Sequence, residues 1–124
     1  MSHLNSVIKE VFRVDLSSES NYILLTQNES SSKNSALTAM RKLLSLLNKE
    51  TLMLLDYTQW YVLFEMHADF PLYDISNAMG KVCDMSEEND LTFGTHINEK
   101  LGIEQIQITV VICPQKGRPN EKNG

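Results

Sequence analysis

Apolar positions along the chain repeat with two periods, and each change of period marks a new element. From Ser2 to Phe12, Leu4, Val7, Ile8, Val11 and Phe12 share one helical face behind a serine able to cap, so a short helix is expected, although Val11 to Leu16 also alternates as a strand would. Leu16 to Asn21 is a polar, serine-rich turn, and Tyr22-Ile23-Leu24-Leu25 between polar flanks reads as a brief buried strand. Asn28 to Asn34 is a loop of capping residues. It opens onto Ala36, Leu37, Met40, Leu43, Leu44 and Leu47, the spacing of a second amphipathic helix. Beyond Asn48-Lys49-Glu50, Leu52 to Leu55 either prolongs that helix or leads out of it. Gln59 to Met66 is aromatic and β-branched, a strand with Trp60, Val62, Phe64 and Met66 on its inner face.

Asp69 and Pro71 mark the start of a third helix, where Leu72, Ile75, Ala78, Met79, Val82 and Cys83 repeat at three and four up to Met85. Ser86 to Asp90 is its exit loop. Leu91, Phe93 and Ile97 form a strand interrupted by Gly94, Asn98 to Gly102 a turn, and Gln105 to Ile112 a strand in which Ile106, Ile108, Val110 and Ile112 alternate with a largely wet face. These last two strands are expected to pair as an antiparallel hairpin. Two successive strand-helix-strand crossovers can leave both helices on one side of the sheet. The predicted fold is therefore α+β: a two-layer sandwich, element order αβαβαββ, with a four-stranded mixed sheet and two main helices on one face. Residues 1–20 are a lead-in, 21–113 the domain and 114–124 a mobile, weakly basic tail.

Composition narrows the function. At 124 residues and 42% apolar content the chain supports one core, with roughly two-thirds of the unfolded surface buried. A net charge of −5, a pI near 5.1 and no clustered lysines and arginines argue against nucleic acid as a partner. The longest apolar run, Trp60 to Phe64, is far short of the ~20 residues that cross a bilayer. Met1 to Phe12 lacks the pattern of a signal peptide, so a cytoplasmic protein without membrane contact is expected. Cys83 and Cys113 suit two reduced, half-buried thiols, and the sequon Asn28-Glu29-Ser30 is then accidental.

Candidate chemistry is sparse. Gly80, Gly94, Gly102, Gly117 and Gly124 stand singly, without the glycine-rich turn that lets backbone donors approach phosphate. The serine-rich loop before Ala36 could attract an anion at a helix N-terminus, but capping is the preferred role. His3, His67 and His96 are far apart with no ligand spacing around them, so neither metal nor cofactor is expected, and His96 is placed on the wet face. Glu65, Asp69 and Asp74 lie close enough in sequence for a carboxylate pair. Asp69 has a capping role available, however, and Asp74 falls on the polar side of its helix. Cys83 and most methionines, Met40, Met53, Met66, Met79 and Met85, fall at core positions, and Trp60 reads as a core anchor. No catalytic residue is predicted.

From Leu91 onward, the run Leu91-Thr92-Phe93-Gly94-Thr95-His96-Ile97-Asn98-Glu99-Lys100-Leu101-Gly102 and then Ile106-Gln107-Ile108-Thr109-Val110-Val111 resembles the closing β-hairpin of the C-terminal domain of FtsZ, the tubulin-like GTPase of bacterial division. Leu72 to Met79 resembles that family's last helix, Trp60 to Glu65 the strand before it, and Ser31 to Ala36 the opening of the preceding helix, after a strand like Tyr22 to Leu25. Ser32 stands where the family has a flexible glycine. The family's GTP-binding domain has no counterpart, so the resemblance implies no GTPase site in this chain, and its C-terminal partner-binding peptide is not visible in the tail. The stretch corresponding to the family's synergy loop, about Asn5 to Phe12, offers Lys9 and Glu10 without paired aspartates. What the resemblance implies is a non-catalytic interaction module that meets a tubulin-like filament subunit, or another copy of itself, through Asn5, Lys9, Glu10 and Phe12. One alternative is a homo-oligomer binding a small molecule, or a small enzyme, with an inter-subunit site using His67, Asp69 or Asp74. Another is a single domain of a longer GTPase. The docking reading requires helices on one face of the sheet only, and no buried acid and histidine lining a deep cavity.

Overall fold

In the computed structural model, which describes residues 3–18, 22–30, 34–47, 58–85 and 90–114, helix α1 (His3–Phe12) and a short 3-10 turn (Leu16–Ser18) lead into β1 (Ile23–Ser30), α2 (Ser35–Leu44), β2 (Thr58–Met66), α3 (Leu72–Met85), β3 (Asp90–Ile97) and β4 (Gln105–Pro114). The four strands form one mixed sheet in the order β1-β4-β2-β3. Strand β4 is antiparallel to both of its neighbours, with Val110 opposite Leu25 on one side and Val62 on the other. Strands β2 and β3, joined through α3, are parallel, with Val62 opposite Phe93.

The expected α+β sandwich forms, with α2 and α3 on one face. Its core joins Ala36, Ala39, Met40 and Leu43 of α2, Ile75, Ala78 and Val82 of α3, and the inward positions of β2 and β4. Trp60, Val62, Phe64 and Met66 all lie there, as the period-two alternation of that strand dictates. Among the described residues Trp60 and Phe64 are the two largest fully buried side chains, and the Phe64 ring lies 6.1 Å from that of Phe93.

The second face is not bare. Val7, Ile8 and Leu16 are buried there against Leu63, Val111 and Cys113, with Leu4, Val11, Phe12, Leu24 and Tyr61 packed around them. Helix α1 therefore lies opposite α2 and α3, contrary to the requirement of helices on one face only. The cause is visible in β2 and β4: Tyr61, Leu63 and Val111 occupy outward positions that a wet face would fill with polar residues, and covering them removes apolar surface from water. Gly94 is the seat of this helix rather than an interruption of β3. A Cβ there would overlap Val11 Cγ1 and sit 3.0 and 3.1 Å from carbons of the Phe12 ring. The Phe12 ring in turn lies 5.1 Å from that of Tyr61. After α1, Arg13 takes φ 61 and donates its N–H to Lys9 O at 2.9 Å, a left-handed helix end. The Ser17 hydroxyl and N–H, 2.6 and 3.1 Å from Asp15 Oδ1, hold that carboxyl below its ordinary value and tighten the turn that delivers Leu16.

Two further expectations change. Strand β1 runs on through Asn28-Glu29-Ser30, placed in a loop by the sequence, because β4 pairs Glu29 with Ile106 and Ser30 with Gln105 and so satisfies their backbone groups. No β3–β4 hairpin forms, because β2 lies between the two strands. The Asn98–Gly102 turn instead carries the chain past the end of β2, where Asn98 N–H donates to Met66 O at 2.8 Å. Leu52 to Leu55 and the tail from Gln115 lie outside the described residues. Among the described residues no helix is long and apolar enough to cross a membrane.

Because Gly94 sets how closely α1 approaches β3, Gly94→Leu is expected to lift the helix and lower stability by about 1–3 kcal/mol, the usual cost of overpacking. Urea unfolding monitored by circular dichroism measures this. Gly94→Ala should cost less than Gly94→Leu.

Candidate functional site

The C-terminal ends of β2 and β3, the start of β4 and the first turns of α2 and α3 meet at one end of the sheet, and most of the candidate polar residues gather there. Helix α2 begins behind Asn34, which takes φ 58 and makes no side-chain cap bond. Its cap comes from α3: Asp74, 2% exposed, accepts the Ala36 N–H at 2.8 Å through Oδ2 and the Leu37 N–H at 3.2 Å through Oδ1. A carboxylate facing the free N–H groups and positive end of a helix satisfies both hydrogen bonding and charge. Asp74 is therefore not on a wet helix face, and the donors that an external anion would use at Ala36 and Leu37 are already taken. Ser35 completes the junction, its hydroxyl donating to Glu104 O at 2.7 Å.

Glu65 is the second buried acid, also 2% exposed. The register sets Asn28, Gln107, Glu65 and His96 side by side across all four strands on the α1 side of the sheet. Gln107 Nε2 donates to Glu65 Oε1 at 3.2 Å, and His96 Nδ1 lies 3.4 Å from Glu65 Oε2. His96 is thus half-buried against an acid rather than solvated on a wet face. Glu65 accepts from Gln107 of β4 on one side and has the ring of His96, on the edge strand β3, beside it on the other.

The three carboxylates that are close in sequence diverge in space. Glu65 faces His96, Asp74 caps α2, and Asp69 is exposed beside His67. His67 Nδ1 accepts the Asp69 N–H at 3.1 Å, which leaves Nε2 to carry the ring proton 3.3 Å from Glu99 Oε1. His67, Asp69 and Asp74 therefore do not converge on one point. Among the described residues no three histidine, cysteine or acidic side chains are grouped to hold a metal.

Of the expected interface, Asn5, Lys9 and Glu10 are exposed on the outer side of α1, whereas Phe12 is half-buried against Tyr61. Ser32 lies outside the described residues. The thiols are not both half-buried: Cys113 is buried under α1 and Cys83 is exposed. Leu72, counted on the apolar face of α3, is also exposed, because the buried stripe of that helix runs through Ile75, Ala78 and Val82. Leu72 and Tyr73 are 73% and 63% exposed, and Ile97 and Ile103 at the same end of the sheet are 49% and 52% exposed. Sequence pattern alone assigned none of these four to a surface role.

Compared with solved structures, the fold is similar to that of FtsZ from M. jannaschii. Against a single-substitution mutant of that protein the TM-score is 0.56 at 18% identity, covering 78% of this chain and 29% of that one. Against an empty FtsZ dimer it is 0.50 at 20% identity, covering 77% of this chain and 28% of that one. At such identities the likeness is one of fold, and the chain spans less than a third of either FtsZ chain. No protein-family profile and no curated protein matches the sequence.

Asp74→Ala removes two charge-assisted bonds from a buried helix start. The expected loss is about 2–3 kcal/mol, read from the urea midpoint. Asp74→Asn keeps a single acceptor and should recover only part of that loss.

Proposed function

We propose that the chain is a non-catalytic protein-interaction module of the FtsZ C-terminal type that docks on a tubulin-like filament subunit. The observation that carries this reading is a fold like part of FtsZ in a sequence without a glycine-rich phosphate-binding turn. One of the similar structures is a dimer of FtsZ, so that protein associates with copies of itself. The outer side of α1, with Asn5, Lys9 and Glu10, supplies the docking edge, and Phe12 acts as the anchor that fixes the helix to Tyr61 and Gly94.

Helix α1 on the second face breaks the condition set for docking from the sequence, so the reading rests on the fold likeness and on the exposed outer side of α1, not on a bare sheet face. The helix precedes β1 and joins no two strands of the sheet, so it creates no crevice between crossovers of the kind where α/β folds bind ligands. The buried Glu65 accepts from Gln107 and lies 3.4 Å from the half-buried His96.

The test is co-sedimentation of the purified protein with FtsZ polymerised in GTP, together with the polymer's GTPase rate. The expected result is protein in the pellet and a changed rate, both weakened by Lys9→Glu with Glu10→Lys. Protein that stays in the supernatant and leaves the rate untouched would overturn the proposal.

A further inference from the structure

Among the described residues six large hydrophobic side chains are exposed, and their distribution is uneven. Tyr22 and Leu46 lie at the end of the sheet where β1 begins and α2 finishes. Leu72, Tyr73, Ile97 and Ile103 all lie at the other end, brought together by contacts already described. Asp74 bonds the first turn of α3, which carries Leu72 and Tyr73, to the start of α2. Ser35 then bonds the start of α2 to Glu104, next to Ile103. The Asn98 N–H bond to Met66 O and the approach of His67 to Glu99 draw the end of β3, with Ile97, against the β2–α3 loop.

Single exposed hydrophobics are ordinary, but several gathered at one end of a small domain and rimmed by charge mark a protein contact. The rim is acidic. In the two described loops, 67–73 and 97–105, Asp69 and Glu99 have side chains 74% and 70% exposed, Glu104 is exposed as well, and Lys100 is the one lysine or arginine.

We infer that this end of the sheet is a docking surface for a protein segment that presents apolar side chains flanked by lysine or arginine. The inference rests on the reading that the chain works by docking, but not on the partner being a filament subunit. A second copy meeting it end to end would set two acidic rims against each other, at a cost in like-charge repulsion. An anionic membrane leaflet would be repelled in the same way.

The test uses isotope-labelled full chain and three synthetic peptides of equal length, one of leucine and lysine, one of leucine and glutamate and one of serine and lysine. The leucine–lysine peptide is expected to shift the amides of Leu72, Tyr73, Ile97 and Ile103, more weakly as salt is added. The other two should not. Leu72→Ser with Tyr73→Ser, both at exposed positions, should keep the folded spectrum and weaken binding about tenfold or more, the effect of losing two apolar anchors. Shifts mapped elsewhere, equal binding of the serine–lysine peptide, or a wild-type dimer dispersed by the double variant would each overturn the inference. The two proposals fail separately. If the peptide does not map here while polymer binds and Lys9→Glu with Glu10→Lys weakens that binding, this surface is wrong and docking through α1 stands. If the peptide maps here while polymer does not bind, the filament partner is wrong and the surface stands.

Discussion

The insertion of β4 between β1 and β2 is the constraint on which both faces of this sheet depend. As an antiparallel neighbour to each, β4 satisfies backbone groups along two edges that would otherwise be open. Its side chains serve both layers, with Ile106, Ile108, Val110 and Ile112 under α2 and α3 and Val111 and Cys113 under α1. The strand is the last element of the described chain, and its partner in β1 is remote: the Thr26 and Thr109 hydroxyls, 3.3 Å apart, are separated by 83 positions in sequence. Contacts of that range carry a loop-closure cost that the paired strand must offset.

Once β4 is in place, the ends of the other elements have few choices. The chain must pass from β3 over the end of β2 to reach the central slot, and that crossing brings Glu104 against Ser35 and Asn98 against Met66. Asp74 locks the two helix starts over the same end. The polar row from Asn28 to His96 does equivalent work on the opposite face, where a lone buried carboxylate would be costly and where Gln107 and His96 attend Glu65. The buried polar groups thus organise one end of the domain, and the exposed apolar residues are left on the loops they hold.

How legible this was in the sequence varied from residue to residue. The alternation in β4 and the three-four spacing of Ile75, Ala78 and Val82 made β4 and α3 plain, since burial on one face is written directly as a period. Period does not say which strand lies beside which. Consecutive strands are neighbours in roughly two-thirds of cases, which favoured a β3–β4 hairpin that does not exist. Asn28 to Ser30 look like a loop by propensity and become strand only because β4 pairs with them. The place of α1 had a signal in Tyr61, Leu63 and Val111, three apolar residues on a supposedly wet face. The Glu65–His96 pair had none, because it arises from register, and Asp74 looked like any acid in the first turn of a helix.

In a domain whose two sheet faces are both covered, and whose likeness to FtsZ is one of fold, the outer surface is made of helix flanks and sheet ends. Their arrangement follows from the strand order, so the strand order is the claim to test first. In a nuclear Overhauser spectrum of isotope-labelled protein, the backbone protons of Val110 should show cross-strand contacts to both Leu25 and Val62. Contacts from Val110 to Phe93 in their place would restore the β3–β4 hairpin and contradict the account.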